Sequence, residues 1–232
     1  MKNVMKKVMW IISFVPLVIT AVVLGFMPDK VPMHYNSEGV IDRWGSKYEN
    51  LIFPIIIIML TLFWQLFIGY FEKKAAKTQV EKERKEALSN VKVLCIVSIS
   101  MSVMYCIMQC FFLYGAYVEA TTDATASVID VAQLSCILLG AMFVVLGNFM
   151  PKTRRNGVVG LRIVWSMHND VTWAKSNRFG GIALIIVGVL TVITAIFAEG
   201  MLATGLMLVY LFVSVIVMII YSYRVYKTQI NK

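Results

Sequence analysis

Residues 128–155 read VIDVAQLSCILLGAMFVVLGNFMPKTRR. Between Val128 and Met150 the only charged side chain is Asp130. Pro151 then ends the run, and Lys152, Arg154 and Arg155 follow at once. A bilayer core of about 30 Å is crossed by about 20 helical residues. This is the pattern of a membrane-spanning helix that stops at a proline, which lacks the N–H donor and clashes with the preceding turn.

The same pattern recurs along the chain. Of the 232 residues, 59% are hydrophobic and 15% charged, and the mean hydropathy is +0.76. The charges come in blocks that separate six apolar spans: Val8–Met27, Leu51–Phe71, Val93–Val118, Val128–Met150, Ile182–Ala198 and Met201–Tyr223. The composition predicts an all-α, polytopic membrane protein. Lys2, Lys6 and Lys7 precede the first span as they would a signal peptide. Its apolar part is too long for a signal sequence and no small-residue cleavage site follows, so it reads as retained.

Lysine and arginine bias sets the expected orientation. With the N-terminus inside, segments 1–7, 72–92, 151–181 and 224–232 are cytoplasmic and carry nineteen of the 22 basic residues. Only Lys30, Arg43 and Lys47 fall outside, with Glu119, Asp123 and Glu199. Both termini are therefore expected in the cytoplasm of a plasma membrane. The same bias accounts for the net charge of +9, so direct nucleic-acid binding is not needed to explain it. Cys95, Cys106, Cys110 and Cys136 all lie in spans, which implies buried thiols rather than a disulfide framework.

The chain divides into a two-span unit, 1–71, with an outer loop at 28–50, and a four-span unit, 93–232, with a cytoplasmic loop at 151–181. Residues 72–92, EKKAAKTQVEKERKEALSNVK, join them and read as a cytoplasmic helical hairpin. The outer connection at 119–127 is short, and the last outer turn, Glu199–Gly200, makes the final two spans an antiparallel pair. Gly140 and Gly147 lie seven apart in one span, and Gly181 and Gly188 repeat the spacing in the next. Small residues let helix backbones approach closely in lipid.

Ionisable side chains within membrane spans mark proton relays and substrate paths. Here the interior holds amides and hydroxyls, such as Gln65, Gln109, Gln133 and Ser135, with Asp130 near a span end. That disfavours a carboxylate-driven transporter. His34 and His168 fall on opposite sides of the membrane, and neither has a second ligand at metal spacing. No enzyme motif, metal site or cofactor site is expected. His34 can pair with Asp42 or Glu38.

Two polar loops carry more pattern than a charged collar requires. The inner one reads GNFMPKTRRNGVVGLRIVWSMHNDVTWAKSNRFGG, 147–181. Asn148, Pro151, Lys152, Arg154, Arg155, Asn156, Gly160, Arg162, Trp165, Trp173, Asn177 and Arg178 are its candidate binding residues. Ser166 or Asn169 can cap the helix that follows. The outer loop contains VPMHYNSEGVIDRWGSK, 31–47, whose candidates are Pro32, His34, Asn36, Gly39, Asp42, Trp44 and Lys47.

The inner stretch resembles the signature of the SdpI family: G-N-x-M-P-K-x-R-x-N, then G-x-R-x-x-W, then W-x-K-x-N-R-x-G-G. Met167, His168 and Ser176 depart from its usual residues. The outer stretch resembles the DUF1648 pattern P-x-H-x-N-x-x-G-x-x-D-x-x-x-x-K. The SdpI family is named for immunity to a sporulation-delaying toxin, a secreted antibacterial peptide. The resemblance implies a bacterial membrane protein whose partners are lipids and such a toxin. In the founding member it also implies a cytoplasmic transcriptional repressor held at the membrane. Three readings follow: immunity, a sensor that sequesters a repressor, and a transporter of peptide or lipid. Oligomeric state is not set by the sequence.

Overall fold

The computed structural model describes residues 2–36, 38–155 and 160–231. Helix α1 spans Lys2–Val23 and leads to strands β1 (Lys30–Tyr35) and β2 (Ile41–Ser46). A 3-10 turn, Lys47–Leu51, enters α2 (Ile52–Lys77), followed by α3 (Glu81–Thr121), α4 (Val131–Phe149), α5 (Asp170–Phe197) and α6 (Gly200–Ile230). Each of the six helices is long and apolar enough to cross a membrane. Their outer faces present large apolar groups, Ile11, Leu66 and Phe212 among them, as lipid-facing helices do.

At about 1.5 Å per residue the 41 residues of α3 run to about 60 Å, roughly twice the bilayer core. Only 78–80 separate α2 from α3, so the charged 72–92 segment is the projecting tip of two continuous helices. Lys6 pairs with Glu72 at 2.9 Å and Lys82 with Asp170 at 3.0 Å. These pairs gather the N-terminus, the α2–α3 tip and the start of α5 at one end of the bundle, called here the terminal end. The hairpin, residues 122–130 and the α5–α6 turn lie at the other, the hairpin end.

The outer loop is a two-stranded antiparallel sheet, with Val31 opposite Gly45 and Pro32 opposite Trp44. Pro28 and Pro32 oppose helix here, because proline lacks the N–H donor and clashes with the preceding turn. The strand pairing is set by the turn: Asn36 Oδ1 accepts from the Glu38 and Val40 N–H groups, each at 2.9 Å, and Gly39 takes φ +77°. Side chains such as Asn36 initiate turns in this way, and glycine enters the left-handed region without a Cβ clash.

Two helix interfaces use different means. Between α4 and α5, a Cβ on Gly140 would lie 2.8 Å from the Gly188 carbonyl oxygen, and one on Gly147 2.5 Å from that of Gly181. The paired glycines therefore set backbone contact distance. Between α1, α2 and α3, buried polar groups meet: Thr61 donates to Ser13 Oγ at 2.7 Å, Ser13 lies 3.0 Å from Ser102 Oγ, and Gln109 Nε2 donates to Thr20 Oγ1 at 2.8 Å. Such bonds join helices where lipid supplies no hydrophobic drive. Val93 and Val97 of α3 pack with Met142 of α4 and join the halves.

Candidate functional site

The outer motif separates into builders and presenters. Pro32 is buried, and Asn36 and Gly39 make the turn. Lys47 is mostly enclosed, donating to the Met27 carbonyl at 3.2 Å and pairing with Asp29 at 3.1 Å, which fastens the hairpin to the end of α1. A capping box of Ser46 and Glu49 starts the 3-10 turn, and Glu49 also holds Arg43 at 3.0 Å. Apart from the turn residue Asn36, three motif side chains are exposed: His34, Asp42 and Trp44. His34 Nδ1 lies 2.6 Å from Asp42 Oδ1. Asp42 and Trp44 are two apart on β2, and Asp42 sits at a break in the strand register between the His34–Arg43 and Tyr35–Ile41 pairs. The hairpin therefore exposes an imidazole–carboxylate pair and, two residues along β2, an indole.

Beneath the hairpin is a carboxylate whose burial the sequence does not announce. Glu119 counts there among outer charges; in the structure it is fully buried. Helix α3 continues past its apolar run, and the hairpin and residues 124–128 close over that last turn. Glu119 Oε2 accepts from the Tyr35 hydroxyl at 2.6 Å and Oε1 from the Val128 N–H at 2.7 Å. Burial and the Glu119 carboxylate beside it push the Tyr35 phenol far above its ordinary range. The segment 124–127 also adds to the sheet, with Ile41 N–H bonding the Thr125 carbonyl and Ser127 N–H that of Gly39. Asp130 caps α4 and accepts from the Gly200 N–H at 2.6 Å, tying in the α5–α6 turn. The position of Glu119 directly after an apolar span was the signal available for it.

The inner motif is organised around a buried centre. Trp173 and Asn177, one turn apart on α5, are almost fully enclosed. Trp173 Nε1 donates to the Thr153 carbonyl at 2.9 Å. Asn177 Oδ1 accepts from the Leu161 N–H at 2.7 Å, and its Nδ2 donates to the Trp173 carbonyl at 3.1 Å. Gly160, at φ +117°, fits against them: a Cβ would collide with Asn177 Oδ1 and come within 3.0 Å of the Trp173 ring. Ser166, also buried, bonds the Leu161 carbonyl at 2.6 Å. Asn169 is the N-cap of α5, in a capping box with Thr172. Pro151 lies against Gly181, and Trp165 packs on Tyr223 of α6 with ring centres 4.9 Å apart.

Arg155 fastens the loop to its surroundings. Its Nη1 donates to the Met167 and His168 carbonyls at 3.3 and 3.1 Å, and its Nε lies 3.3 Å from Asp170 Oδ1. Asp170 also takes Lys82 from the α2–α3 tip. Lys152 bonds Asn148 Oδ1 at 3.4 Å and lies 4.6 Å from the Phe149 ring centre. Asn148, Pro151, Lys152, Arg154, Arg162 and Arg178 are exposed. Asn156 lies outside the described residues. The structure thus brings Gly160, Trp173 and Asn177 together as a support and leaves several bases on the surface. Among the described residues no three His, Cys, Asp or Glu side chains could hold a metal ion.

The fold and these two loops define a six-helix membrane protein with an exposed hairpin patch at one end and a basic, internally braced loop at the other. Residues 152–222 match the SdpI/YfhL protein family, and residues 11–58 match DUF1648, a domain of unknown function. The chain is thus similar to SdpI-family proteins from the inner loop through α6 and to DUF1648 proteins from α1 to the start of α2. It is 19% identical over 228 residues to the immunity protein SdpI of Bacillus subtilis (strain 168), covering 97% of this chain and 96% of that protein. No solved structure matches the chain.

Proposed function

We propose that this protein confers immunity on the cell that carries it by engaging a secreted, membrane-active peptide toxin at the hairpin end. The full-length similarity to an immunity protein supports the activity. The patch of His34, Asp42 and Trp44 carries the assignment of the site, because its three motif side chains are exposed and none is needed to close the turn. The charge bias puts this patch outside the cell and both termini in the cytoplasm. A peptide arriving at the membrane surface would meet an aromatic ring at headgroup level and a polar pair able to donate and accept hydrogen bonds.

The test is expression in a toxin-sensitive bacterium followed by challenge with candidate peptides. Wild type is expected to restore survival. His34→Ala and Trp44→Ala are expected to lose protection at unchanged membrane abundance. Survival indistinguishable from vector with every peptide would defeat the immunity reading.

A second reading, toxin sensing through a cytoplasmic repressor, has one observation in its favour. The Lys82–Asp170–Arg155 network joins the α2–α3 tip and the inner loop into one charged surface. Pull-down of a small DNA-binding regulator, lost on Asp170→Ala at equal abundance, would support it. A pull-down unaffected by that change would remove this surface from consideration.

A further inference from the structure

At the terminal end, a cavity of about 270 Å³ lies between the two long helices and the inner loop. Phe71 and Lys74 of α2, Glu83, Glu86, Ala87 and Asn90 of α3, and Arg155 and Met167 of the loop line it. Three observations point to its occupant.

The first is an unmatched acceptor. Asn90 is 3% exposed, and its Oδ1 has no hydrogen-bond partner. A buried amide oxygen left unpaired costs free energy, so such groups are matched by a donor when the site is filled. The second is the arrangement of charge. Glu86 is half-buried and Glu83 sits at the rim, its Oε2 accepting from Thr78 at 2.8 Å. Lys74 and Arg155 line the same space and bring two positive charges to it. The cavity therefore offers acceptors for a cation carrying N–H groups and, beside them, donors for an anion. The third is depth. Phe71 and Asn90 sit where the apolar runs of α2 and α3 give way to charge, the level of phospholipid headgroups.

We infer that this cavity is a headgroup site for a zwitterionic phospholipid bearing a primary ammonium, with the ammonium on Asn90 Oδ1 and Glu86 and the phosphate on Lys74 and Arg155. Phosphatidylethanolamine has this chemistry. Phosphatidylcholine has the same charges but no N–H group to donate to Asn90, and phosphatidylglycerol lacks the cation. Because Arg155 also closes the inner loop through the Met167 and His168 carbonyls, an occupied site would brace that loop from below. The site requires nothing of the toxin reading.

The experiment is native mass spectrometry of the full-length protein released from micelles doped with equal amounts of the three lipids, repeated with soluble O-phosphoethanolamine in place of lipid. Phosphatidylethanolamine should be retained at least about tenfold over phosphatidylcholine, as expected for one charge-assisted hydrogen bond. Glu86→Gln and Asn90→Leu should each abolish the preference, whereas Lys7→Ala, at an exposed base outside the cavity, should leave it intact. Glu86 is partly exposed, so its variant reads out the site even if Asn90→Leu fails to fold. Equal retention of the ethanolamine and choline lipids would overturn the proposal, as would a preference for phosphatidylglycerol. Soluble phosphoethanolamine binding as tightly as the lipid would overturn the membrane source.

Discussion

The two motif-bearing loops solve opposite problems. At the hairpin end the backbone does the holding: strand pairing, the Asn36–Gly39 turn and the Lys47 anchor leave His34, Asp42 and Trp44 facing solvent. At the terminal end the motif side chains do the holding. Trp173, Asn177 and Gly160 use their polar atoms or their lack of a Cβ on one another, and the described residues 153–155 and 160–169 belong to no helix or strand. Equal density of pattern in a sequence thus does not mean equal function. One loop presents its signature and the other is built from it.

That contrast can be broken experimentally, and the most damaging substitution should fall in the inner loop. Trp173→Ala removes a buried indole and strands the Thr153 carbonyl. It is expected to cost about 3–5 kcal/mol, the range for large-to-small aromatic replacements. A fall in the thermal unfolding midpoint of the detergent-solubilised protein and reduced membrane abundance would register it. An unchanged midpoint would show that the inner loop does not depend on its motif.

Asn177→Leu comes next. It leaves the Leu161 N–H and the Trp173 carbonyl without their side-chain partner, at about 1–3 kcal/mol for the exposed need of a buried polar group. Gly160→Ala should be similar in size, since φ +117° and the Asn177 contact both resist a Cβ. Faster hydrogen exchange over 160–169 would mark both; exchange confined to wild-type rates would refute the support role.

The support beneath the hairpin gives a smaller, pH-dependent effect. Tyr35 bonds Glu119 and its phenol is raised above the ordinary 10.0. The folded chain therefore keeps a proton that the unfolded chain gives up, so stability is intact below the ordinary phenol value and falls as pH rises past it. Tyr35→Phe should lower stability by about 1 kcal/mol near neutrality, the net worth of a typical hydrogen bond. It should also flatten the alkaline decline. Parallel alkaline slopes for wild type and variant would show that Glu119 does not control that end.

The smallest stability effect belongs to the presented patch. His34 and Asp42 are mostly solvent-exposed, and exposed pairs contribute little to folding. His34→Ala should leave the midpoint unchanged while reducing survival under toxin challenge. A stability loss equal to that of Trp173→Ala would erase the difference between the loops.

Much of this was readable from local chemistry. The apolar runs, the proline stops and the seven-residue glycine spacing specify six helices and a close α4–α5 contact, because desolvating a backbone in lipid leaves few alternatives to helix. The prolines of the outer loop exclude helix, and Asn36 and Gly39 mark its turn, yet strand pairing required knowing which segments meet. Glu119 was harder. Its place just beyond an apolar run is equally that of a surface charge, and only the folding of residues 31–46 and 124–128 over it decides burial.

The inner loop follows the same division. Its bases and its Asn169 cap were visible in order, since topology bias and capping act over a few residues. That Trp173 and Asn177 face inward while Arg162 and Arg178 face out is set by contacts across Thr153, Gly160 and Leu161. The same holds for the cavity between Asn90 and Arg155, whose walls lie far apart in the chain. The sequence alone therefore determined the membrane class, the helices and where polar chemistry gathers. Which of those polar groups are structural and which are available was decided by tertiary contact, because exposure depends on neighbours that no local pattern encodes.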